Sequence, residues 1–124
     1  MVRATLESTA YQVRDVLDMM RRESGVSVPV MRCNGRATEN RFLMQFQADI
    51  LDIPLEIPEN QETTALGAAF LSSISLGDYG GVEDLAAIWR CARCYEPRMS
   101  SDQRGYLLYH WHRAVERAKY WSEE

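Results

Sequence analysis

The chain has 124 residues, 46% of them hydrophobic and 26% charged, the composition of one ordinary globular domain and not of a disordered or fibrous chain. A formal net charge of −4 without any basic concentration argues against nucleic acid as a partner; no apolar run is long enough to span a bilayer and the start carries no signal-peptide apolar region, which argues for a cytoplasmic protein with no membrane partner. Three cysteines, an odd number, fit reduced thiols in that compartment better than a disulfide framework.

Leu6, Ala10, Val13, Leu17 and Met20 recur at steps of three and four, with Arg14, Asp15, Asp18, Arg21 and Arg22 on the other side, so the spacing predicts an amphipathic helix over roughly Ala4 to Arg22 that stops at Gly25. So abrupt a start to a helix with a sizeable apolar face suggests that a preceding segment has been removed. Val28 to Cys33 reads as a strand, with Pro29 tolerable only near its first residues or on an edge. The chain turns at Asn34-Gly35 and resumes helical spacing through Phe42, Leu43, Phe46 and Ile50, so a second helix is expected from Thr38 or Glu39 to Leu51, ended by Pro54. Pro54 to Ile57 is a second short strand. Two strands joined through a helix make a parallel, right-handed crossover unit.

The strand-turn-helix at Asn34-Gly35 is the first candidate site. Glycine lets the backbone come close to a phosphate or sugar, and the free N–H groups at a helix start favour anions, although an ordinary connection would read the same way. A third helix runs from Thr63 to Gly77, where Ala65, Gly67, Ala68, Ala69 and Ser72 leave a face that another backbone, or a flat ligand ring, can approach. Gly67 costs that helix about 1 kcal/mol relative to alanine, which close packing or ligand contact would justify equally. Gly80-Gly81 makes a turn, Val82 to Trp89 a short helix, Cys91 to Glu96 an extended segment, and Ser101 to Trp121 a final helix with Leu107, Leu108, Trp111, Ala114, Val115 and Ala118 along its apolar side.

Cys91-x-x-Cys94, with His110 and His112 beyond it, invites a zinc reading. His-Trp-His on a helix puts the imidazoles on different faces, and a redox pair would sit at a helix N-terminus, so two plain thiols on a strand are the expectation and no metal site is assigned. No Walker loop, Gly-x-Gly-x-x-Gly, Gly-x-Ser-x-Gly or His-Glu-x-x-His is present, and no catalytic residue is assigned.

Taken together, Val-Arg-Ala-Thr-Leu-Glu-Ser at 2 to 8, Ala-Tyr-Gln-Val-Arg-Asp-Val-Leu at 10 to 17, Asn-x-Phe-Leu-Met-Gln-Phe-Gln-Ala-Asp-Ile-Leu at 40 to 51, Thr-Ala-Leu-Gly-Ala-Ala at 64 to 69, and Tyr…Trp…Ala-Val-x-Arg-Ala…Trp ending at Trp121 resemble the C-terminal domain of the glycerol kinases, within the FGGY carbohydrate kinases. The block from Asn40 to Leu51 is close to diagnostic for glycerol kinases; the block around Gly67 is shared more widely. The resemblance covers essentially the whole chain. It implies an α/β fold, a helix-rich fragment of a ribonuclease-H-like domain of the actin and hexokinase type with a short parallel β-α-β core. It also implies that residues 1 to 124 are a nucleotide-binding subdomain without the preceding β-meander and the whole N-terminal domain. The family's phosphate-gripping Asp-x-Gly-Thr loop and catalytic aspartate belong to those parts, and no Asp-x-Gly-Thr occurs here.

By the same resemblance, the turn corresponds to Asp-Gly-Gly-Ala-x-x-Asn, where the second glycine's backbone lies against the nucleotide phosphates and the asparagine contacts the nucleoside. Here it reads Asn34-Gly35-Arg36-Ala37-Thr38-Glu39-Asn40. Gly35 and Asn40 match; Asn34 replaces the aspartate, and Arg36 replaces a glycine and would crowd the phosphates unless it swings out to pair with them. Gly35, Arg36, Asn40, Gly67 and Ala68 are the residues expected to bind ATP or ADP, weakly or not at all in this fragment, with Mg2+ used in the parent family only. The function implied is the ATP-binding part of a glycerol or related polyol kinase, inactive alone. The alternative is a degenerate kinase remnant acting as a self-associating interaction module, and a homo-oligomer formed through an uncovered sheet face or edge is expected.

Overall fold

The computed structural model describes residues 1–119. Helix α1 (Val2–Ser24) closes on Gly25, whose φ of 66° is left-handed and whose N–H donates to the Arg21 carbonyl at 2.9 Å. It exceeds the sequence expectation by two residues at each end, because helical hydrogen bonding continues past the last apolar contact. Strand β1 (Met31–Arg32) is much shorter than the expected Val28 to Cys33. A 3-10 turn (Arg36–Glu39) follows, then α2 (Arg41–Leu51), β2 (Leu55–Pro58), α3 (Thr63–Leu76), α4 (Val82–Ala86), β3 (Cys91–Tyr95) and α5 (Ser101–Lys119). The predicted end of the last helix at Trp121, and the last Trp of the resemblance, lie outside the described residues.

The sheet order is β1-β2-β3. β1 and β2 are parallel, Met31 opposite Leu55 and Arg32 opposite Glu56, which is the predicted β-α-β unit. The extended segment expected to carry the two thiols as a strand pairs as β3, antiparallel to β2, with an irregularity beside Pro58 that leaves Ala92 as an extra residue. The sheet is therefore mixed, and its centre is β2, where Leu55 and Ile57 are fully buried.

α2 is the hub of the core. Leu43, Met44, Ala48 and Leu51 pack with Leu17 of α1 and with Ile53, Leu55 and Ile57; Phe46 and Ile50 form a second cluster with Ala10 and Tyr11, covered by Met99, Leu107, Leu108 and Trp111. Tyr11 meets Phe46 edge-on at 5.6 Å and stacks on Trp111 at 5.1 Å, so α5 is held by an aromatic sandwich. Each fully buried aliphatic chain such as Ile50 or Leu51 contributes roughly 1.5–3 kcal/mol.

The charged side assigned to α1 is corrected at two positions. Arg14 donates from one nitrogen to the carbonyls of Ile50 and Leu51, both at 3.0 Å, and its Nε donates to Asp18 at 2.8 Å. Asp15 accepts from Trp111 Nε1 at 2.7 Å. Both groups face neighbouring elements, since the last carbonyls of α2 need donors and the indole N–H needs an acceptor. Arg104 of α5 holds the same end of α2 through Asp49 O at 2.7 Å and Asp52 Oδ1 at 2.6 Å.

α3 behaves differently. It buries no side chain, leaving Leu71 at 67% and Leu76 at 79% exposure, and a Cβ added at Gly67 would meet nothing within 4 Å. Packing within the described chain therefore does not account for Gly67.

Candidate functional site

Because β1 and β2 run parallel, the loops that follow them leave from the same end of the sheet, the end where open α/β sheets bind ligands. After β1 the chain turns at Gly35, whose φ of 94° and ψ of 172° suit glycine alone. Thr38, only 2% exposed, donates its hydroxyl to the Gly35 carbonyl at 2.7 Å and closes the turn. Asn40 then leaves the helical region at φ −80° and ψ 98°, and its Oδ1 accepts the Leu43 N–H at 3.1 Å. That cap explains why α2 begins at Arg41 and not at Thr38 or Glu39 as expected: the residue that caps a helix stands outside it.

The loop after β2 is laced to this turn. Gly35 N–H donates to Gln61 Oε1 at 3.0 Å, the Thr38 hydroxyl lies 3.3 Å from the same oxygen, and Gln61 Nε2 donates to the Pro58 carbonyl at 3.1 Å. Asn34 Nδ2 donates to the Thr63 hydroxyl at the start of α3. Between the two loops lies a hollow of about 250 Å³ lined by Arg32, Cys33, Asn34, Pro58, Thr63 and Trp89. The Arg32 guanidinium sits 4.0 Å above the Trp89 ring, with Nε 3.3 Å from Glu56 Oε2. Burial pushes the Cys33 thiol up, which keeps it protonated at neutral pH and a poor nucleophile. A larger apolar cleft of about 440 Å³ adjoins it, bounded by Leu66 and Phe70 of α3, by Tyr79, and by Leu85, Ile88 and Trp89.

The five predicted residues divide into groups. Gly35 and Arg36 lie on the turn, Arg36 exposed. Gly67 stands four residues beyond Thr63 on α3, on the same helix face and about 6 Å further along the axis. Ala68 is exposed and its carbonyl accepts from Ser72 Oγ at 3.0 Å. Asn40 lines a different, open groove of about 500 Å³ with Val2, Arg3, Leu6 and Phe42. The Asn34–Thr63 bond thus draws the turn to the base of α3, while Asn40 opens toward the start of α1.

Gln61, Thr38 and Thr63 were missed by the sequence reading. Gln61 and Thr63 in the Pro58-to-Thr63 connection were the polar signal available, yet nothing in the linear order says that they meet Gly35 and Asn34. The thiols lie on β3 as expected: Cys91 Sγ donates to Arg93 O at 3.2 Å, and Cys94 is pushed up first by burial and then by its hydrogen bond to Glu96. Among the described residues no three His, Cys, Asp or Glu side chains converge as a metal set. His112 pairs with Asp15 at 3.0 Å, while His110 packs against Tyr106 and Tyr109.

A parallel crossover whose glycine turn meets a small-faced helix, extended by an antiparallel strand, is part of an actin- and hexokinase-like fold, and residues 1–76 match the family described as FGGY family of carbohydrate kinases, C-terminal domain. The chain belongs to that family. Within it the likeness is to glycerol kinases: 49% identity over 121 residues with that of Nitratidesulfovibrio vulgaris, covering 98% of this chain and 24% of the relative, and 50% over 123 residues with that of Petrotoga mobilis, covering 99% and 25%. The chain thus spans about a quarter of the length of these relatives. Among solved structures, Plasmodium falciparum glycerol kinase with ADP superposes with a TM-score of 0.86 at 30% identity, over 94% of this chain and 24% of that one. Xylulose kinase from Lactobacillus acidophilus, at 18% identity and a TM-score of 0.81 over 98% of this chain and 25% of that one, shares the fold.

Proposed function

We propose that residues 1–124 form the C-terminal nucleotide-binding subdomain of a glycerol-kinase-type enzyme, supplying one wall of an adenosine cleft, and that alone they transfer no phosphoryl group. The observation that carries this reading is the 49% identity with a glycerol kinase over 98% of this chain, joined to superposition on a glycerol kinase with ADP. The residues present would suit a nucleotide: no side chain caps the Arg36–Glu39 turn, the Thr38 N–H donates to the Gly35 carbonyl at 3.0 Å and leaves the N–H groups of Arg36 and Ala37 for phosphate oxygens, and the space over Gly67 admits a flat ring. Gly35 and Arg36 would take the phosphates, Asn40 the nucleoside, and Gly67 and Ala68 the ring. In the parent family a magnesium ion balances the phosphate charge. The substrate class is glycerol or a related polyol, and the three reduced thiols fit a cytoplasmic setting.

Phosphoryl transfer depends on positioned phosphate, metal and base groups together, and the phosphate-gripping loop and base aspartate of the resemblance have no counterpart in this sequence. A coupled ADP-release assay with glycerol and magnesium ATP tests this. The background rate is expected, and turnover abolished by a point substitution in this chain would overturn the reading.

A second reading, a self-associating interaction module, is favoured by one observation. α3 leaves Leu71 and Leu76 exposed, and α1 leaves Val16, Met19 and Met20 exposed; Val16 and Met20, with Val13 and Leu17, line an apolar groove of about 340 Å³ that ends at Met31 of the edge strand β1.

A further inference from the structure

Residues three apart on a regular strand point to opposite faces, and regular pairing of β3 would divide Cys91 from Cys94 in that way. The irregularity beside Pro58 reunites them. Cys94 stands opposite Glu56 and Cys91 opposite Pro58; Glu56 and Pro58, two apart on β2, share a face, so the extra residue Ala92 brings both cysteines to it. This face is turned from the core, because the alternate residues Leu55 and Ile57 are fully buried there, and both thiols are exposed. Two positions on a strand span about 7 Å, so the Cα atoms of the pair stand at roughly the upper limit of about 6.8 Å for a disulfide. One atom between the sulfurs suits that spacing better, since metal–thiolate bonds of about 2.3 Å let the sulfurs stand up to about 4.6 Å apart. Cys91 already leans toward its neighbour: its Sγ donates to the Arg93 carbonyl at 3.2 Å, over the peptide that leads into Cys94.

We propose that Cys91 and Cys94 form a surface dithiol site for a soft, two-coordinate monovalent cation of the Cu(I) class, with the ion bridging the two sulfurs. The inference does not depend on the nucleotide reading. Among the described residues no three His, Cys, Asp or Glu side chains converge as a metal set, so the face offers two thiols, the donor set of a soft two-coordinate ion and not of tetrahedral zinc. Glu96, whose Oε1 lies 3.6 Å from Cys94 Sγ, serves the free thiol as an acceptor and not the ion as a ligand. On binding, each thiol gives its proton to solvent and its sulfur lone pair to the ion, and no electron is transferred. The complex carries one negative charge. Arg32, whose Nε lies 3.3 Å from Oε2 of Glu56, the residue opposite Cys94, is the counter-charge on that face.

The test uses the 124-residue chain, reduced and free of oxygen, with Cu(I) titrated in competition with a chromophoric Cu(I) chelator. Cys91→Ser, Cys94→Ser and Glu96→Gln are compared with the parent, all three positions lying outside the buried core. The parent should bind one equivalent per chain. Either cysteine variant should bind at least about a hundredfold more weakly, since losing even an outer-shell partner costs metal affinity about ten- to a hundredfold; each still holds two thiols, so the loss reports the pair and not the number of cysteines. Glu96→Gln should match the parent, and Zn2+ titrated alone should bind more weakly than Cu(I). Affinity kept by either cysteine variant overturns the proposal, as does the absence of Cu(I) binding by the parent. Weaker binding by Glu96→Gln, or tighter binding of Zn2+ than of Cu(I), overturns the two-coordinate assignment, because a third ligand then takes part.

Discussion

Gly35 stands at φ 94° and ψ 172°, yet open space surrounds the place where a Cβ would be. Any cost of replacing it is therefore backbone strain and not a clash. Gly35→Ala should lower stability by about 1–3 kcal/mol, read from denaturant midpoints at an unchanged slope; a neutral substitution would mean that the turn relaxes. Asn40→Ala removes the α2 cap and should cost about 1 kcal/mol, distinguishable from a loss of nucleoside contact because it is seen without ligand. On the proposed nucleotide reading Arg36 would act on the ligand and not on the fold, since its side chain is exposed on the turn. Its bulk obstructs a backbone contact, while an ion pair made by a flexible arginine in water contributes little. Arg36→Gly should accordingly tighten ADP binding, and weaker binding would make Arg36 a phosphate ligand. Of these residues the sequence marked Gly35, Arg36 and Asn40 through their pattern; Asn40's role as cap was not read, although an asparagine three residues before an apolar helical position is the available signal.

At the scale of elements, legibility follows the range of the interactions. α3 and its stop at Gly77 were placed correctly, since Gly77 at φ 84° ends the helix by local geometry. α2 was placed apart from its start, and its apolar stripe is the core, because that stripe is local as well. β1 shrank to Met31–Arg32, as Pro29 withholds a donor and only β2 lies alongside. β3 was read as an extended stretch or strand, but its partner was not, for pairing with Leu55–Pro58 depends on residues more than thirty positions away. Arg14 and Arg104 were hidden for the same reason: a charge on a helix reads as solvated until its partner, the end of α2, is known. Arg104 contacts the Asp49 and Met99 carbonyls as well as the Asp52 carboxylate, so Arg104→Ala should lower stability by about 1.5–3 kcal/mol and loosen α5. Proteolysis within α5 at a rate equal to that of the parent chain would contradict this.

For the whole molecule, the contrast is between a well-buried centre on α2 and β2 and a periphery of exposed apolar residues on α1 and α3. Such surfaces, beside the two-residue edge strand, should draw copies of the chain together as a homodimer or by exchange of α1 or α5. Light scattering at tens of micromolar and the concentration dependence of Tm give the answer, and a monomer with a constant Tm would contradict it. On the proposed reading the chain supplies one wall of a cleft, and that wall would still meet the full entropy cost of association, several kcal/mol, so ADP affinity is expected no better than about millimolar. Amide chemical shifts during an ADP titration of the unmodified chain test the central claim most directly. Saturable shifts at Gly35, Asn40, Gly67 and Ala68 with a Kd of about 1 mM or weaker are predicted; the absence of shifts at those four residues, with ADP either unbound or shifting amides elsewhere, would contradict it.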